Sequence, residues 1–299
     1  REIEDIPVPV VWTLHDSWPF AGADHHPLYP RDMRFVTGYR RNNRVHSSRV
    51  DIDGWVWKRK FATWKRRFHL VAPSRWMAEQ AQRSKLMGNQ PTVTIPNPVD
   101  IEALTSCAGD DTRSALGIRS EEFVIVTASI GGTNIDSKGW PLLRDALQTL
   151  TNTGISVHLL IIGQSEEPPD LPRGVKCTAT GLLDGSAEVG RAMSAADVFV
   201  TASTIESFGL TAAEASALGL PVIAPNTSGL TDVVVEGETG WLFDPDSVDS
   251  LVLSITEAHA DSSEAHRRGS HGRQRATNLW AMETVGRQYR DLYESVLYQ

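Results

Sequence analysis

A chain of 299 residues is too long for one ordinary hydrophobic core and suits two domains. Its 40% apolar and 22% charged residues are those of a soluble globular protein, and no run approaches the roughly 20 apolar residues of a membrane span. The net charge of −8 argues against general nucleic-acid binding, and Cys107 and Cys177, without a CxxC, provide neither a disulfide framework nor a zinc site.

The opening REIEDIPVPVVW has no signal-peptide pattern, and the want of a disulfide framework makes a reducing cytoplasm the expected compartment. PVPVVWTL (Pro7 to Leu14) is a β-branched run that reads as a buried strand delivering His15 and Asp16 at its C-terminal end. From Phe20 to Gly54 the chain is polar and irregular, with Arg34, Arg40, Arg41, Arg44 and Arg49, a length typical of binding loops or mobile segments. WVWKRKFATWKRRF, Trp55 to Phe68, follows as a basic helix with six Lys or Arg and no acid. Its Trp57, Phe61, Trp64 and Phe68 keep helical spacing within about 60° of one another, which predicts an apolar stripe buried against a sheet and cations on the other side. HLVAPS reads as a strand, RWMAEQAQRSKL as a helix, TVTIPN as a strand, and PNPVD (Pro96 to Asp100) as an interdomain hinge.

Beyond the hinge the α/β alternation restarts. EFVIVTAS, ISVHLLIIG, VKCTATG, DVFVTAS and LPVIAP read as strands, with GWPLLRDALQTL, AEVGRAMSAA and the end of ESFGLTAAE as helices between them. Ser247 to Gln299 reads as helical throughout. Such alternation implies βαβ units and a parallel sheet. The expected division is residues 1–98, residues 99–279, and a last helix, 280–299, that crosses back to the first domain. The first hundred residues supply about three strands, the second half of a doubly wound domain, so a complete protein of this build needs more chain ahead of Arg1.

ESFGLTAAE holds two carboxylates, Glu206 and Glu214. In one continuous helix they would stand about 12 Å and 80° apart and hardly serve one ligand. If the helix begins near Leu210, Glu206 lies in the loop before it and Glu214 in its second turn. The amides of Ser207, Phe208, Gly209 and Leu210 then lie between them as a phosphate-binding helix N-terminus.

That stretch fits the E-x7-E signature of the retaining glycosyltransferases of family four, which have the GT-B fold. TLHD, VAPSRWMAEQA, IPNPVD, SKGWPLLRDAL, SAADVFVTAST and ALGLPVIAPNTSG resemble the same family in order and spacing, from Val8 to Phe243. WTLHDSWPF and IPNPVD are similar to its colanic-acid and bacterial exopolysaccharide branch. The resemblance implies an α/β protein of two Rossmann-like doubly wound domains facing a cleft, the first incomplete at its N-terminus. It implies transfer of a hexose, with retention, from a nucleotide diphosphate sugar to a saccharide or lipid-linked acceptor in polysaccharide or glycoconjugate biosynthesis.

By the same resemblance, Glu206 approaches the hexose hydroxyls, Glu214 holds the ribose diol, and the amides of Phe208, Gly209 and Leu210 take the diphosphate. Lys138 neutralises the leaving nucleotide, His15 faces the sugar, and Leu182, in GLLDG, lies where the base rests. Gly132 falls where the family has a phosphate-binding arginine. Asp16, Arg40 and Arg41 are the candidates on the acceptor side, and no metal or other cofactor is implied. Both DPD (Asp244 to Asp246) and Asp24-His25-His26 read as turn or loop residues rather than metal ligands. Lipid-linked acceptors would also suit contact between the basic helix and an anionic membrane, at the inner face of the plasma membrane. Two rival readings stand beside transfer: a GT-B remnant that binds nucleotide or protein without catalysis, and a sugar phosphorylase or sugar-nucleotide epimerase on the same fold.

Overall fold

The computed structural model describes residues 3, 5–26, 32–44, 50–106, 112–128, 138–166, 168 and 170–298. The chain forms two compact units, one of Arg1–Asn97 with Val285–Gln299 and one of Pro98–Thr284.

In the first unit β1 (Val10–Thr13) is followed by the short α1 (Arg34–Thr37), a 3-10 turn at Arg41–Asn43 and α2 (Ile52–Thr63). Then come β2 (Phe68–Ala72), α3 (Arg75–Arg83) and β3 (Thr92–Thr94), and the three strands form a parallel sheet in the order β1-β2-β3. The helices start where the sequence offers a cap: Asp51 accepts from the Gly54 amide and Ser74 from the Met77 amide. Leu14, Phe20, Phe35, Trp57, Phe68, Leu70 and Met77 share one core.

Three expectations need correction here. The β1 residues are half-buried rather than buried, because β1 pairs with β2 alone among the described residues. The basic helix ends at Thr63: Trp64 turns extended, and Phe68 is drawn into β2 by pairing with Val10. The apolar stripe therefore does not exist as one face. Trp57 is buried, Phe61 is half exposed at 49%, and the cation Lys60 is itself buried.

The second unit begins with α4 (Ile101–Thr105) and α5 (Thr112–Ala115). It continues through β4 (Phe123–Ala128), α6 (Trp140–Asn152), β5 (Val157–Ile162), β6 (Lys176–Ala179), α7 (Gly185–Met193) and β7 (Val198–Val200). After these come α8 (Leu210–Leu218), β8 (Val222–Pro225), α9 (Leu230–Val233), β9 (Gly240–Phe243), α10 (Val248–Ala260) and α11 (Ser262–Leu279). All six strands are parallel, in the order β6-β5-β4-β7-β8-β9. This is the doubly wound arrangement, with the direction of winding reversing between β4 and β7.

Both faces of that sheet are covered, so all six residues of β5, VHLLII, are buried. One face packs Leu143 and Leu147 of α6 with Leu251 and Ile255 of α10. The other packs Met193, Ala212, Leu230 and Ala276 from α7, α8, α9 and α11.

No sequence pattern marks β9, four residues that become a strand by pairing with Val222 to Pro225. The C-terminal stretch from Ser247, expected to be helical throughout, is three helices. Asp261 interrupts it by capping α11 through the Glu264 amide, and Ala281 leaves the helical path to bridge Val99 before α12 (Met282–Leu297). Within the first unit, Val285, Tyr289 and Leu292 of α12 pack with Val71 and Ile95, and the Tyr289 hydroxyl lies 3.0 Å from that of Thr13.

Candidate active site

The reversal between β4 and β7 separates two loops at the carboxyl edge of the second sheet, the place where open α/β sheets hold ligands. On the β4 side, Lys138 stands just before Gly139, the left-handed N-cap of α6. A Cβ on Gly139 would come 2.0 Å from the Ala202 carbonyl, so this chain runs directly against the segment leaving β7. That approach brings the Lys138 ammonium to Glu206, where Nζ donates to Oε1 at 2.8 Å; the side chains are 34% and 24% exposed.

Glu206 is held by its backbone. Its amide donates to the Ser228 hydroxyl at 3.0 Å, and its carbonyl accepts from the Gly229 amide at 2.9 Å. Phe208 is buried and packs edge-on against Trp280, anchoring the turn. Gly209 then takes φ 98° as the N-cap of α8, without a side-chain cap. The first intrahelical bond runs from the Ala213 amide to the Gly209 carbonyl, so the amides of Leu210, Thr211 and Ala212 take no part in the helix ladder and lie at the positive end of the helix dipole. Leu210, the first helical residue, is 41% exposed.

Glu214 lies one turn further on, half-buried on a helix whose neighbouring Ala213, Ala215 and Ser216 are buried. It has no hydrogen bond or ion pair among the described residues, and burial pushes its carboxyl up to about 7. A carboxylate shielded from water with its acceptor sites open is a receptor for hydroxyl donors.

Lys138, Glu206, Ser207, Phe208, Gly209, Leu210 and Glu214 thus belong to one cluster at the start of α8. Leu182 stands on the same carboxyl edge, 74% exposed, beyond the backbone bonds by which Gly181 ties the end of β6 to Gly163 and Gln164. Gly132 lies outside the described residues. Ser228 was not anticipated: its hydroxyl reaches Glu206 from 22 residues away, although it sits inside the quoted ALGLPVIAPNTSG.

In the first unit His15 is exposed just past β1. The Asp16 carboxylate is engaged locally, accepting from the Trp18 amide at 2.9 Å and pairing with His25 Nδ1. Arg40 and Arg41 are exposed at the start of the 3-10 turn. Among the described residues no group of three His, Cys, Asp or Glu is placed to hold a metal.

A doubly wound parallel domain with an uncapped helix N-terminus at its reversal point has the Rossmann-like architecture, in which ligands sit at the carboxyl edge of the sheet. The model of the family "Glycosyl transferases group 1" matches residues 110–275, and that of "Glycosyltransferase Family 4" matches residues 5–103; the chain is a member of the group 1 glycosyl transferases. It is 34% identical over 124 residues to sulfoquinovosyl transferase SQD2 of Arabidopsis thaliana, covering 40% of this chain and 23% of that one. With the capsular polysaccharide biosynthesis glycosyltransferase CapM of Staphylococcus aureus it shares 26% identity over 171 residues, 56% of this chain and 45% of that one. It therefore spans less than half the length of both relatives. Sucrose-phosphate synthase from Thermosynechococcus elongatus matches its fold with a TM-score of 0.70 at 24% identity, over 85% of this chain and 64% of that one. Anabaena HepE, solved with UDP, matches with a TM-score of 0.66 at 21% identity, over 96% and 72%. The fold is that of the GT-B glycosyltransferases.

Proposed function

We propose that this chain transfers a hexose from a nucleotide diphosphate sugar to a saccharide or lipid-linked acceptor with retention at the anomeric carbon, in bacterial polysaccharide or glycoconjugate synthesis. The observation that carries the reading is the Lys138–Glu206 pair beside the open N-terminus of α8, with Glu214 one turn inside. In this reading Glu214 accepts from the ribose diol, the amides from Ser207 to Leu210 bind the diphosphate, and Glu206 receives a hexose hydroxyl. The base rests near Leu182. The bond from the anomeric carbon to the phosphate oxygen breaks with its electron pair passing to that oxygen. Lys138 and the amides meet the developing charge, the preorganised electrostatics that stabilise any oxyanion. The acceptor oxygen bonds to the same face and gives its proton to the departing phosphate. This route uses no metal.

On the first unit, His15 is the proposed neighbour of the sugar, and Asp16, Arg40 and Arg41 the acceptor side. The exposed face of α2, with Ile52, Trp55, Lys58 and Arg59, is the proposed contact with an anionic cytoplasmic membrane surface. The name of CapM, for capsular polysaccharide biosynthesis, supports the pathway assigned here.

The test is a thermal-shift and calorimetric panel of UDP, GDP, ADP and their hexose conjugates, with and without EDTA. A ligand at 100 times its Kd stabilises the fold by about 2.7 kcal/mol. Binding of one nucleotide that survives EDTA and is lost in Glu214→Ala, with slow hydrolysis of its sugar conjugate, is the expected result. Binding without hydrolysis or transfer to any acceptor would replace this reading with a nucleotide-binding remnant. Phosphate-dependent release of a sugar phosphate would replace it with a phosphorylase.

A further inference from the structure

Lys60 is a buried cation that the proposed chemistry does not use. It lies on α2, is 4% exposed, and donates from Nζ to three carbonyls: Trp18, Ala21 at 3.3 Å and Gly22 at 2.8 Å. The ammonium also sits 3.7 Å from the centre of the Trp18 ring and 5.6 Å from that of Trp64. Lys60 has no ion pair among the described residues; burying such a charge is expensive, and for packing alone this slot would take Leu or Met. Three carbonyl acceptors consume all three N–H groups, which the ammonium has and the neutral amine does not.

These carbonyls belong to the segment that leaves β1 and carries His15. Trp18 is its pivot: its carbonyl accepts from Lys60, while its amide donates to Asp16 Oδ1 at 2.9 Å. Asp16 in turn holds His25, whose carbonyl accepts from the Ser17 amide at 2.7 Å. At the far end Gly22 donates to the Tyr39 hydroxyl at 2.9 Å and Ala23 to Asp53 at 3.0 Å. At the near end the Leu14 amide is fixed to Val71. His15 is therefore set between a strand end and a turn gathered around one ammonium.

We propose that Lys60 is a positioning residue, whose ammonium gathers the Trp18–Gly22 backbone and thereby sets the pose of His15 and Asp16. Its catalytic consequence rests on the reading of His15 given above; its structural part does not.

The groups facing Lys60 are Asp16 from the β1 segment, with His25 bound to it, and Asp53 and Arg59 from α2. Burial pushes the lysine down to about 7, with Asp16 and Asp53 opposing, and the three carbonyls also favour the ammonium. Loss of its proton leaves two N–H groups for three carbonyls, so the segment loosens on the alkaline side.

The experiment is amide hydrogen exchange on the whole chain between pH 6 and 9, corrected for intrinsic rates, in wild type and Lys60→Met. In wild type, protection over residues 16–23 should fall about tenfold through the lysine's titration, the worth of one charge-assisted hydrogen bond. Phe68–Ala72 of β2 should stay protected. In Lys60→Met the segment should be poorly protected at every pH. Hydrolysis of whichever UDP-, GDP- or ADP-hexose the wild type turns over should lose kcat about tenfold or more in the variant, with donor KM unchanged. Protection that ignores both pH and the variant overturns the proposal. A loosened segment with unchanged kcat overturns its catalytic part. Should Lys60→Met not fold, the wild-type pH series alone decides. Wild-type inactivity with a pH-sensitive segment would count against the proposed function and for Lys60.

Discussion

The ammonium of Lys138 lies 2.8 Å from Oε1 of Glu206, joining the residues just ahead of α6 to the loop after β7 where the sheet reverses. With the two side chains 34% and 24% exposed, the pair sits in partly solvated surroundings, where such bridges contribute about 1 kcal/mol or less. Its value as a stabilising contact is small. Its placement beside an uncapped helix N-terminus is what calls for explanation.

Lys138→Met and Glu206→Gln should therefore separate stability from turnover. Each should lower Tm by no more than about 2–4 °C, the effect of ~1 kcal/mol in a domain of this size. Lys138→Met should lower the rate of donor hydrolysis or transfer by about 10²–10³, as removal of an oxyanion-stabilising donor does, and Glu206→Gln should lower it by weakening the hold on the hexose hydroxyl. Lys138→Met should also weaken diphosphate binding more than nucleoside binding, which competition between nucleoside and nucleoside diphosphate would show. Equal loss of stability and activity would reduce the pair to a structural bridge.

Gly139 makes that pair possible. At φ 70° a side chain is strained, and its Cβ would stand 2.0 Å from the Ala202 carbonyl, which is backbone and has little room to yield. Gly139→Ala should cost at least about 2 kcal/mol and push the two loops apart, weakening nucleotide binding as well as lowering Tm. Gly154 supplies the control: it too has positive φ, 87°, but nothing lies within 4 Å of its would-be Cβ. Gly154→Ala should cost about 1 kcal/mol and leave binding unchanged. Melting and titration of both variants would check this, and equal binding losses would refute the close approach as the cause.

What could be read from the chain, and what could not, divides along local and non-local causes. ISVHLLIIG reads as a strand from its own residues and as a parallel one from the alternation around it, and the glycine before Leu210 places the start of α8 where it occurs. The end of α2 was illegible because WKRRF continues the helical spacing; Val10, far back in the chain, pairs with Phe68 and makes it a strand instead. Lys60 falls among five other cations on a sequence that promises solvent, and the carbonyls that bury it come from Trp18 to Gly22. GWLF is too short to signal a strand before β8 supplies its partner. In the site, Glu206 and Glu214 were legible from one stretch, whereas Ser228 and the bridge to Lys138 depend on loops that only the sheet brings together.

The exposed face of α2 offers a test of membrane contact that the predicted stripe would have misdirected. Ile52 and Trp55 are each 61% exposed, with Lys58 and Arg59 also exposed and the Arg59 guanidinium 5.6 Å from the Trp55 ring. The chain as a whole is at −8, so attraction to an anionic surface requires such a local patch. Co-sedimentation with phosphatidylglycerol-containing vesicles should exceed that with phosphatidylcholine and fall with salt. The double substitution Lys58→Glu and Arg59→Glu should reduce it tenfold or more, at about 1 kcal/mol per basic residue. Trp55→Ala should weaken it without altering the salt dependence. Binding that ignores lipid charge would end the proposal.

Glu214 supplies a prediction whose sign is fixed by the direction of its shift. Burial raises its carboxyl from the ordinary 4.5 to about 7, so between those values the folded chain holds a proton that the unfolded chain has released. The stabilisation from this group is complete below about 4.5 and is lost as pH rises through 7, a loss of up to about 3 kcal/mol at 1.36 kcal/mol per unit. Glu214→Gln is neutral throughout, so it should gain on wild type in Tm as pH rises from 5 to 8. Binding runs the other way. A ribose diol donates two hydroxyls, and only the ionised carboxylate accepts both. Nucleotide affinity in wild type should therefore rise between pH 6 and 8, with proton release that calorimetry in buffers of different ionisation enthalpy would count. The glutamine variant corrects for titration of the nucleotide's own phosphates and should bind more weakly, without that excess rise. Identical pH profiles in the two proteins would remove Glu214 from the donor site and leave its burial a feature of α8 packing alone.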